Sequence, residues 1–304
     1  MKSTVTRRET LQLTAALGGA MSLGLAEQST AATPAAMRRL QLEDPLARSR
    51  LYAKLRGSTI AETVYTFCRM HMYLWLGDGN LQPMLTLQNL NATQWRPLPD
   101  GTFAGVMHEV GVYTEFDTDQ LVDTWKNPVT GETREVWQFS GGPQPLQMGP
   151  DGLVTHSNAA LQPKEMRIDV LGDLLLSPTY SRRAFPNPLP PAQWPKEYGG
   201  ETFFWDSHYL FSASVAQLLD PKVTNATATV DFQNMVSFHP WLGMGKTPGR
   251  TFGRGLGAKL RSLSDLPDGA RSALEKRTPE IFDLPNWKEP KRDFVDFMRL
   301  RKPT

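Results

Sequence analysis

The alternation of apolar and polar positions is clearest between residues 64 and 76, where the chain reads VYTFCRMHMYLWL. Every second residue, from Val64 to Leu76, is apolar or small. The intervening positions are aromatic, except for Arg69 and His71. Because successive side chains of a strand point to opposite sides, the stretch predicts a long β-strand with one core face. The second face fits either the lumen of a barrel or an ordinary sheet face lying under a loop.

Further along the chain, alternating segments separated by glycine, proline and asparagine turns predict more antiparallel strands. These strands are predicted at 81–95, 102–116, 120–126, 133–139, 153–158, 164–171 and 201–212, with one or two more between 225 and 240. The opening strand and the first four of these are expected to form a five-strand antiparallel meander. Helices are predicted at 45–56, 214–219, 266–277 and 290–301. Since strands and helices do not alternate as βαβ units, we predict a mainly-β fold, an antiparallel β-barrel of the calycin or lipocalin type with peripheral helices.

Three segments rich in glycine or proline are predicted to be irregular. They are 141–152, 177–200 and 241–257; the second is long enough for a lid or binding loop, and the third carries Arg250 and Arg254. The predicted organisation is therefore a leader at 1–32, a helical segment at 33–58, the barrel at 59–257 and a C-terminal helical segment at 258–304.

The N-terminus contains the pair Arg7-Arg8, a weakly apolar run from Leu13 to Ala26 and small residues at 29–32. This order is typical of a twin-arginine signal peptide and is too short for a transmembrane helix. The alternative is a disordered amphipathic N-terminus. We predict export to the periplasm, with no membrane attachment afterwards.

Composition argues against nucleic acid as a partner and against an intramolecular disulfide. Residues 1–32 carry three basic and two acidic side chains, so their loss lowers the net charge from +2 to +1. With no basic stripe, nucleic acid is not expected as a partner. Cys68 is the only cysteine, so no intramolecular disulfide can form, and its place on the apolar face predicts a buried, inert thiol.

No motif for a nucleotide, a covalent nucleophile or a local metal site occurs in the chain. The five histidines are widely separated, although a barrel can gather metal ligands from different strands. We predict neither a cofactor nor a metal.

The first candidate catalytic group is His71 with Arg69 and Tyr73, all on one face of the opening strand. An imidazole can take up and release a proton near neutral pH, and Arg and Tyr can stabilise an oxyanion. Trp75 would pack against an aromatic substrate. A structural histidine is the alternative.

The strand at 102–116 places Glu109, Tyr113 and Glu115 on one face. If that face lines the lumen, Glu109 would be a catalytic carboxylate opposite His71, and Tyr113 and Glu115 would contact the substrate. If it faces water, these are surface groups. His108, on the other face, is expected to be a core histidine.

The sequence WDSHY places Asp206 and His208 on one face of a later strand, where the carboxylate could orient the imidazole for acid–base catalysis. Trp205 is on the opposite face and is a candidate for substrate binding. His239 and Trp241 precede the glycine-rich segment and are expected at a cavity mouth.

Three features together are similar to a known family: the aromatic opening strand, the W-x-N-P-x-T-G-E hairpin from Trp125 to Glu132, and the P-W-L-G-M-G…P-G segment from Pro240 to Gly249. Over roughly residues 45–300 the chain resembles the domain-of-unknown-function 1838 family of bacteria and fungi. The resemblance implies an antiparallel barrel-like fold. It supplies no catalytic residues.

The predicted function is that of an exported, cofactor-independent lyase or isomerase. It would transfer protons on a hydrophobic aromatic small molecule of a lignin-derived or polyketide-like kind. A periplasmic, lipocalin-like carrier without catalysis is the alternative, and a purely structural role is a third. The sequence also allows a homo-oligomer, and it leaves open which sheet face is inside.

Overall fold

A computed structural model describes residues 38–77, 79–155, 166–288 and 292–302. The predicted leader and His156 lie outside these residues. Strands dominate the described part of the chain, as the sequence predicts. Their bounds are β1 Glu62–Trp75, β2 Leu81–Pro97, β3 Phe103–Thr114, β4 Thr124–Lys126, β5 Thr133–Glu135, β6 Phe139–Gly149, β7 Gly152–Thr155, β8 Asp169–Leu171, β9 Leu174–Pro186, β10 Thr202–Ser214, β11 Ala228–Val236 and β12 Arg250–Leu260.

Ten strands form one antiparallel sheet in the order β7-β6-β3-β2-β1-β12-β11-β10-β9-β8, while β4 and β5 pair separately. The sheet curls into a half-barrel, which confirms the predicted mainly-β, calycin-like architecture. Each half of the sheet is a run of strands from one half of the chain. Among the described strands, the two halves are hydrogen-bonded to each other only through β1 and β12, whose register extends from Tyr65 opposite Leu260 to Trp75 opposite Arg250.

Among the residues that the structure describes, four short α-helices accompany the sheet: α1 Pro45–Arg56, α2 Val215–Leu219, α3 Asp268–Arg277 and α4 Phe294–Arg299. Helix α1 has the predicted bounds. The Asp44 side chain accepts a hydrogen bond from the Leu46 amide, and proline occupies the first helical position. Within the ranges described above, no helix has the length and apolar character needed to cross a membrane.

The two faces of the sheet pack differently. The inner face carries Cys68, Met70 and Met72, and it contributes to two apolar clusters. One cluster surrounds α1, and the other surrounds α4. On the outer face, α3 covers a smaller cluster that includes Phe67 and Val110. The predicted burial of Cys68 is confirmed, and burial raises the pKa of its thiol to about 12.

Strand β12 explains the glycines that the sequence analysis assigned to a loop at 241–257. Gly253, Gly255 and Gly257 alternate along the inner face, opposite β1. A Cβ at Gly257 would overlap the Phe67 carbonyl oxygen, and one at Gly255 would overlap the Met70 side chain. The loop prediction is therefore wrong for 250–257, because close contact between two strands requires the glycines there.

Two other loop predictions are wrong in part. Residues 141–149 belong to β6, which pairs with β3 and β7, and residues 177–186 belong to β9, which pairs with β10. Pairing with neighbouring strands on both sides overrides the local proline and glycine signal. The predicted five-strand meander is also wrong at β4 and β5, which form a separate hairpin. In that hairpin Asn127 donates from Nδ2 to the Leu242 carbonyl at 2.8 Å.

Two buried lysines bind helix ends: Lys54 joins α1 to α2, and Lys259 joins α1 to β12 of the sheet. Lys54 Nζ donates to the Leu218 and Asp220 carbonyls at 3.0 and 2.7 Å, at the end of α2. Lys259 Nζ donates to the Lys54 and Gly57 carbonyls at 2.8 and 2.9 Å, at the end of α1. Cations are favourable at helix C-termini because they satisfy the last carbonyls. Burial nevertheless lowers the pKa of Lys259 to about 7, although the charge of Glu62 opposes this shift.

We predict that Lys259 makes the free energy of unfolding vary with pH in the alkaline range. Between pH 7 and 10.5 the unfolded chain holds the Lys259 proton more firmly than the folded chain does. The unfolding free energy should therefore rise with pH across this window, by at most about 1.4 kcal/mol per pH unit from this group. Chemical denaturation of the natural protein and of Lys259→Met at several pH values measures the difference. Lys246→Met, at an exposed position, should keep the natural slope. Parallel pH profiles for the natural protein and Lys259→Met would contradict the assignment.

Candidate functional site

The predicted group around His71 lies on the outer face of β1 and not in a lumen. His71 Nδ1 is 3.1 Å from Thr86 Oγ1, and the Thr86 hydroxyl donates to the Phe116 carbonyl at 2.8 Å. The imidazole therefore donates to Thr86, and its ring lies 4.8 Å from the ring of Phe116. Of the two interpretations of this face, a barrel lumen or an ordinary sheet face under a loop, the structure supports the sheet face under a loop.

The same loop, residues 115–121, is held on the outer face by charged and polar contacts. Arg69 forms a bidentate ion pair with Asp119 at 2.8 and 2.9 Å, and Gln88 Nε2 donates to the same carboxylate at 2.9 Å. Tyr73 packs edge-on against Phe116 at 5.3 Å, and Trp75 lies on the same face of β1. Because Arg69 is already paired, these contacts favour a structural role for the group.

The candidates on β3 do not face His71. Glu109 and Tyr113 point to the inner face, so the sheet itself separates them from the imidazole. Glu115 lies beyond the end of β3 and is exposed. The expected opposition of Glu109 and His71 is therefore wrong. Period-two alternation identifies which residues share a face, but it does not identify which face is enclosed.

Asp206 and His208 share the outer face of β10, as predicted, but they are not joined. His208 stacks on Tyr180 with ring centroids 4.7 Å apart. Its buried Nε2 has no hydrogen-bond partner among the described residues, and Asp206 is exposed. The expected orientation of the imidazole by Asp206 is absent from this structure, in which the His208 ring stacks on Tyr180 instead.

Four of the predicted substrate-binding residues do come together, at the end of the half-barrel where α4 packs. Tyr113 contacts Trp241 at 5.4 Å, and both Trp205 and His239 contact Phe294, at 5.3 and 5.8 Å. Most of these rings line a cavity of about 20 Å³, room for about one water molecule. Burial lowers the pKa of His239 to about 4, so its imidazole is neutral at physiological pH.

A polar layer crosses the inner face between the two apolar clusters. We call it the inner polar layer, and its members are Arg56, Asn89, Asn91, Glu109, Arg183 and Tyr209. Asn89 Nδ2 donates to Glu109 Oε1 at 3.0 Å, and Asn91 Nδ2 donates to Asn89 Oδ1 at 2.9 Å. Tyr209 packs against both clusters, which places the layer between them.

Glu109 is the acidic group of this layer. Burial raises the pKa of its carboxyl, while the hydrogen bond from Asn89 and the charge of Arg183 oppose the rise. Arg183 belongs to β9, six strands away from β3 in the sheet, so the curl of the sheet brings the two together. A carboxyl that holds its proton above the ordinary range can exchange protons nearer to neutral pH.

Tyr209 lies among all three charged members of the layer. Burial raises the pKa of its phenol, as do the charges of Glu109 and Cys68, and the charges of Arg183 and Arg56 oppose this. Its ring packs against Phe232 at 4.2 Å. The phenol therefore keeps its proton and can donate a hydrogen bond to a bound molecule.

Arg56 ends α1 and brings a second guanidinium to the layer. It lies over the ring of Phe211 at 4.4 Å and donates to Thr179 Oγ1. Burial lowers its pKa to about 10, which still leaves it charged at neutral pH.

Solvent reaches the inner polar layer. Glu109, Tyr209 and both asparagines are only half-buried and Arg183 is exposed, whereas many neighbours in the apolar clusters are fully buried. The layer thus combines an acid–base carboxyl with amide, phenol and guanidinium donors. Across the part of the chain that the structure describes, no three His, Cys, Asp or Glu side chains form a metal-binding group.

Of the six members of this layer, only Glu109 is predicted from the sequence as a site residue. Asn89 and Asn91 are detectable as two polar residues on one face of the otherwise apolar strand β2, and this signal could have been found. Arg56, Arg183 and Tyr209 join the layer through the curl of the sheet and the position of α1. No local pattern connects them to Glu109.

Fold and site together define a calycin-like half-barrel with a polar layer on its inner face. A family model described as "Protein of unknown function (DUF1838)" matches residues 61–302, from the start of β1 to the end of α4. The chain belongs to this family. No curated protein matches it.

We predict that Glu109→Gln stabilises the protein at neutral pH. Because the folded pKa of Glu109 is raised, the folded chain binds its proton more firmly than the unfolded chain, and stability falls as pH rises above the ordinary carboxyl value of 4.5. Glutamine removes this cost and still accepts from Asn89. The expected gain in unfolding free energy is on the order of 1 kcal/mol, measured by denaturant titration at pH 7. The exposed Glu115→Gln is the control and should be neutral. A loss of stability in Glu109→Gln would contradict the assigned environment.

Proposed function

We propose that this protein is an enzyme of the lyase or isomerase type that acts on a hydrophobic aromatic small molecule by proton transfer. Glu109 is its acid–base group. The proposal depends on the environment of the Glu109 carboxyl. Its pKa is raised, solvent can reach it, and it accepts a hydrogen bond from Asn89 at 3.0 Å. Hydrogen-bond donors from both halves of the sheet lie around it. Perturbed carboxyl groups in clefts are typical of catalytic sites.

In the proposed reaction, the Glu109 carboxylate removes a proton from a carbon next to a substrate carbonyl. The C–H electron pair moves towards the carbonyl oxygen, and the Tyr209 phenol stabilises the resulting enolate. Return of the proton to a different carbon completes an isomerisation, and departure of a β-substituent completes an elimination. The scheme uses protein side chains alone, and it replaces His71 with Glu109 as the proton carrier.

The alternative function, a lipocalin-like carrier, is favoured by the aromatic cluster around Phe294 and by the calycin-like half-barrel. Barrels of this kind hold apolar ligands without chemistry. A carrier would bind aromatic compounds and release them unchanged.

We predict that Glu109→Gln abolishes product formation without abolishing binding. Purified protein is incubated with a panel of lignin-derived and other aromatic carbonyl compounds, and products are detected by mass spectrometry. Turnover of an accepted compound should fall about 10²- to 10⁴-fold in Glu109→Gln, the usual share of one acid–base group, and should be unchanged in Glu115→Gln. The pH profile of kcat/KM in the natural protein should rise as Glu109 ionises, with a midpoint above 4.5. Binding of aromatics without any product supports the carrier, and full turnover in Glu109→Gln refutes the scheme.

We also propose that the protein is exported in folded form through the twin-arginine route and works in the periplasm. The support is the order of Arg7-Arg8, an apolar run and small residues at 29–32. The sheet is joined by the pairing of its first strand with its last, so it is complete only after the whole sheet-forming part of the chain has been made. Export of an already folded chain is compatible with this order.

We predict that the double change Arg7→Lys and Arg8→Lys retains the full-length protein in the cytoplasm of a bacterium with twin-arginine export. The natural chain should be recovered from the periplasm in a form shortened near residue 32. The change Arg38→Lys and Arg39→Lys, at the second arginine pair, is the control and should leave export intact. Cell fractionation and intact-mass measurement decide between these outcomes, and unimpaired export of the first variant would contradict the route.

A further inference from the structure

Arg56 is a half-buried cation without an acidic partner among the described residues. Its only hydrogen bond in the described structure goes to the neutral Thr179 hydroxyl, and its buried Nε has no partner. None of the ion pairs among the described residues includes Arg56. A buried guanidinium with an unsatisfied donor is costly, since it loses hydration without regaining an equivalent interaction. Groups of this kind are retained where a ligand completes them.

Arg183 presents a second guanidinium to the same space. Its Nε donates to Ser181 Oγ at 3.2 Å, and no carboxylate of the described residues lies within ion-pair distance of it. Tyr209 pairs with Thr179 of β9, to which Arg56 donates, and Ser181, to which Arg183 donates, is the next residue of β9 on the inner face. The two guanidiniums are therefore bound at neighbouring positions of β9, beside Tyr209. Two guanidiniums and one ionised carboxyl leave the inner polar layer with one uncompensated positive charge.

We propose that the inner polar layer binds the carboxylate of an aromatic carboxylic acid between Arg56 and Arg183. A single carboxylate neutralises the excess charge, and planar guanidinium groups match its two oxygens. This inference deepens the proposed function by naming the substrate class, and it rests on that function for the role of Glu109.

The surroundings fit an aromatic body attached to the carboxylate. Arg56 lies over Phe211 at 4.4 Å, and Tyr209 packs on Phe232 at 4.2 Å, so flat apolar surfaces border the two cations. A hydrophobic ring beside these surfaces would exclude water and strengthen the charged hydrogen bonds. A doubly charged phosphate would instead leave excess negative charge beside Glu109.

The adjacent residue Arg182 supplies a matched control. It is exposed like Arg183, but it points to the outer face of β9, opposite Asp206 on β10. Arg182→Gln and Arg183→Gln therefore remove the same charge from the same strand, and only Arg183→Gln removes it from the inner polar layer.

The test is calorimetric titration of the full mature protein with benzoate, phenylacetate and cinnamate, each compared with its neutral amide. At least one acid should bind more tightly than its amide. Arg183→Gln should weaken that acid about tenfold or more and leave the amide unchanged, while Arg182→Gln should affect neither. Arg56→Lys, which keeps the charge and loses the planar fork, should also weaken the acid.

The inference is overturned if every amide binds as tightly as its acid, or if Arg182→Gln and Arg183→Gln have equal effects. Its failure is distinguishable from failure of the proposed function. Turnover of neutral aromatics that depends on Glu109 would refute the carboxylate site and leave proton transfer standing. Binding of acids that depends on Arg183, with no product from any of them, would support the carboxylate site and refute proton transfer.

Discussion

The pairing of β1 with β12 is the constraint on which the rest of the structure depends. It joins two runs of five strands that come from opposite halves of the chain, and its register extends over eleven residue pairs. The contact is close because Gly255 and Gly257 carry no side chain where Met70 and the Phe67 carbonyl approach. Without this junction the two halves would be separate sheets, and β3 would not face β9 across the interior.

The inner polar layer lies between two apolar clusters of the interior. Helix α1 closes one end with an apolar cluster, and α4 with its aromatic neighbours closes the other. Between them, Glu109 and Arg56 carry charge at a cost in solvation that a purely structural interior would avoid. Desolvated charges and an unsatisfied buried donor of this kind are typical of sites retained for function.

The outer face of β1 has a different role. Residues 115–121 lie against it through the Arg69–Asp119 ion pair and the contact of His71 with Thr86. This network holds the segment that follows β3, the strand that carries Glu109 and Tyr113. An imidazole, a guanidinium and aromatic rings on one strand can thus serve structure as readily as chemistry, and only their partners distinguish the two uses.

The sequence alone determined the fold class, the bounds of α1, the positions of β1, β2, β3 and β10 and the burial of Cys68, because these follow from local periodicity, capping and the pleat of a strand. It also named Trp205, His239 and Trp241 separately as candidates for substrate binding. The tertiary structure alone decided which face of β1 is enclosed, that residues 250–260 form a strand, and that Glu109 meets Arg183 and Tyr209. These depend on pairing between strands more than a hundred residues apart or on the curl of the sheet, and period-two alternation is identical for a face that points inwards and one that points outwards.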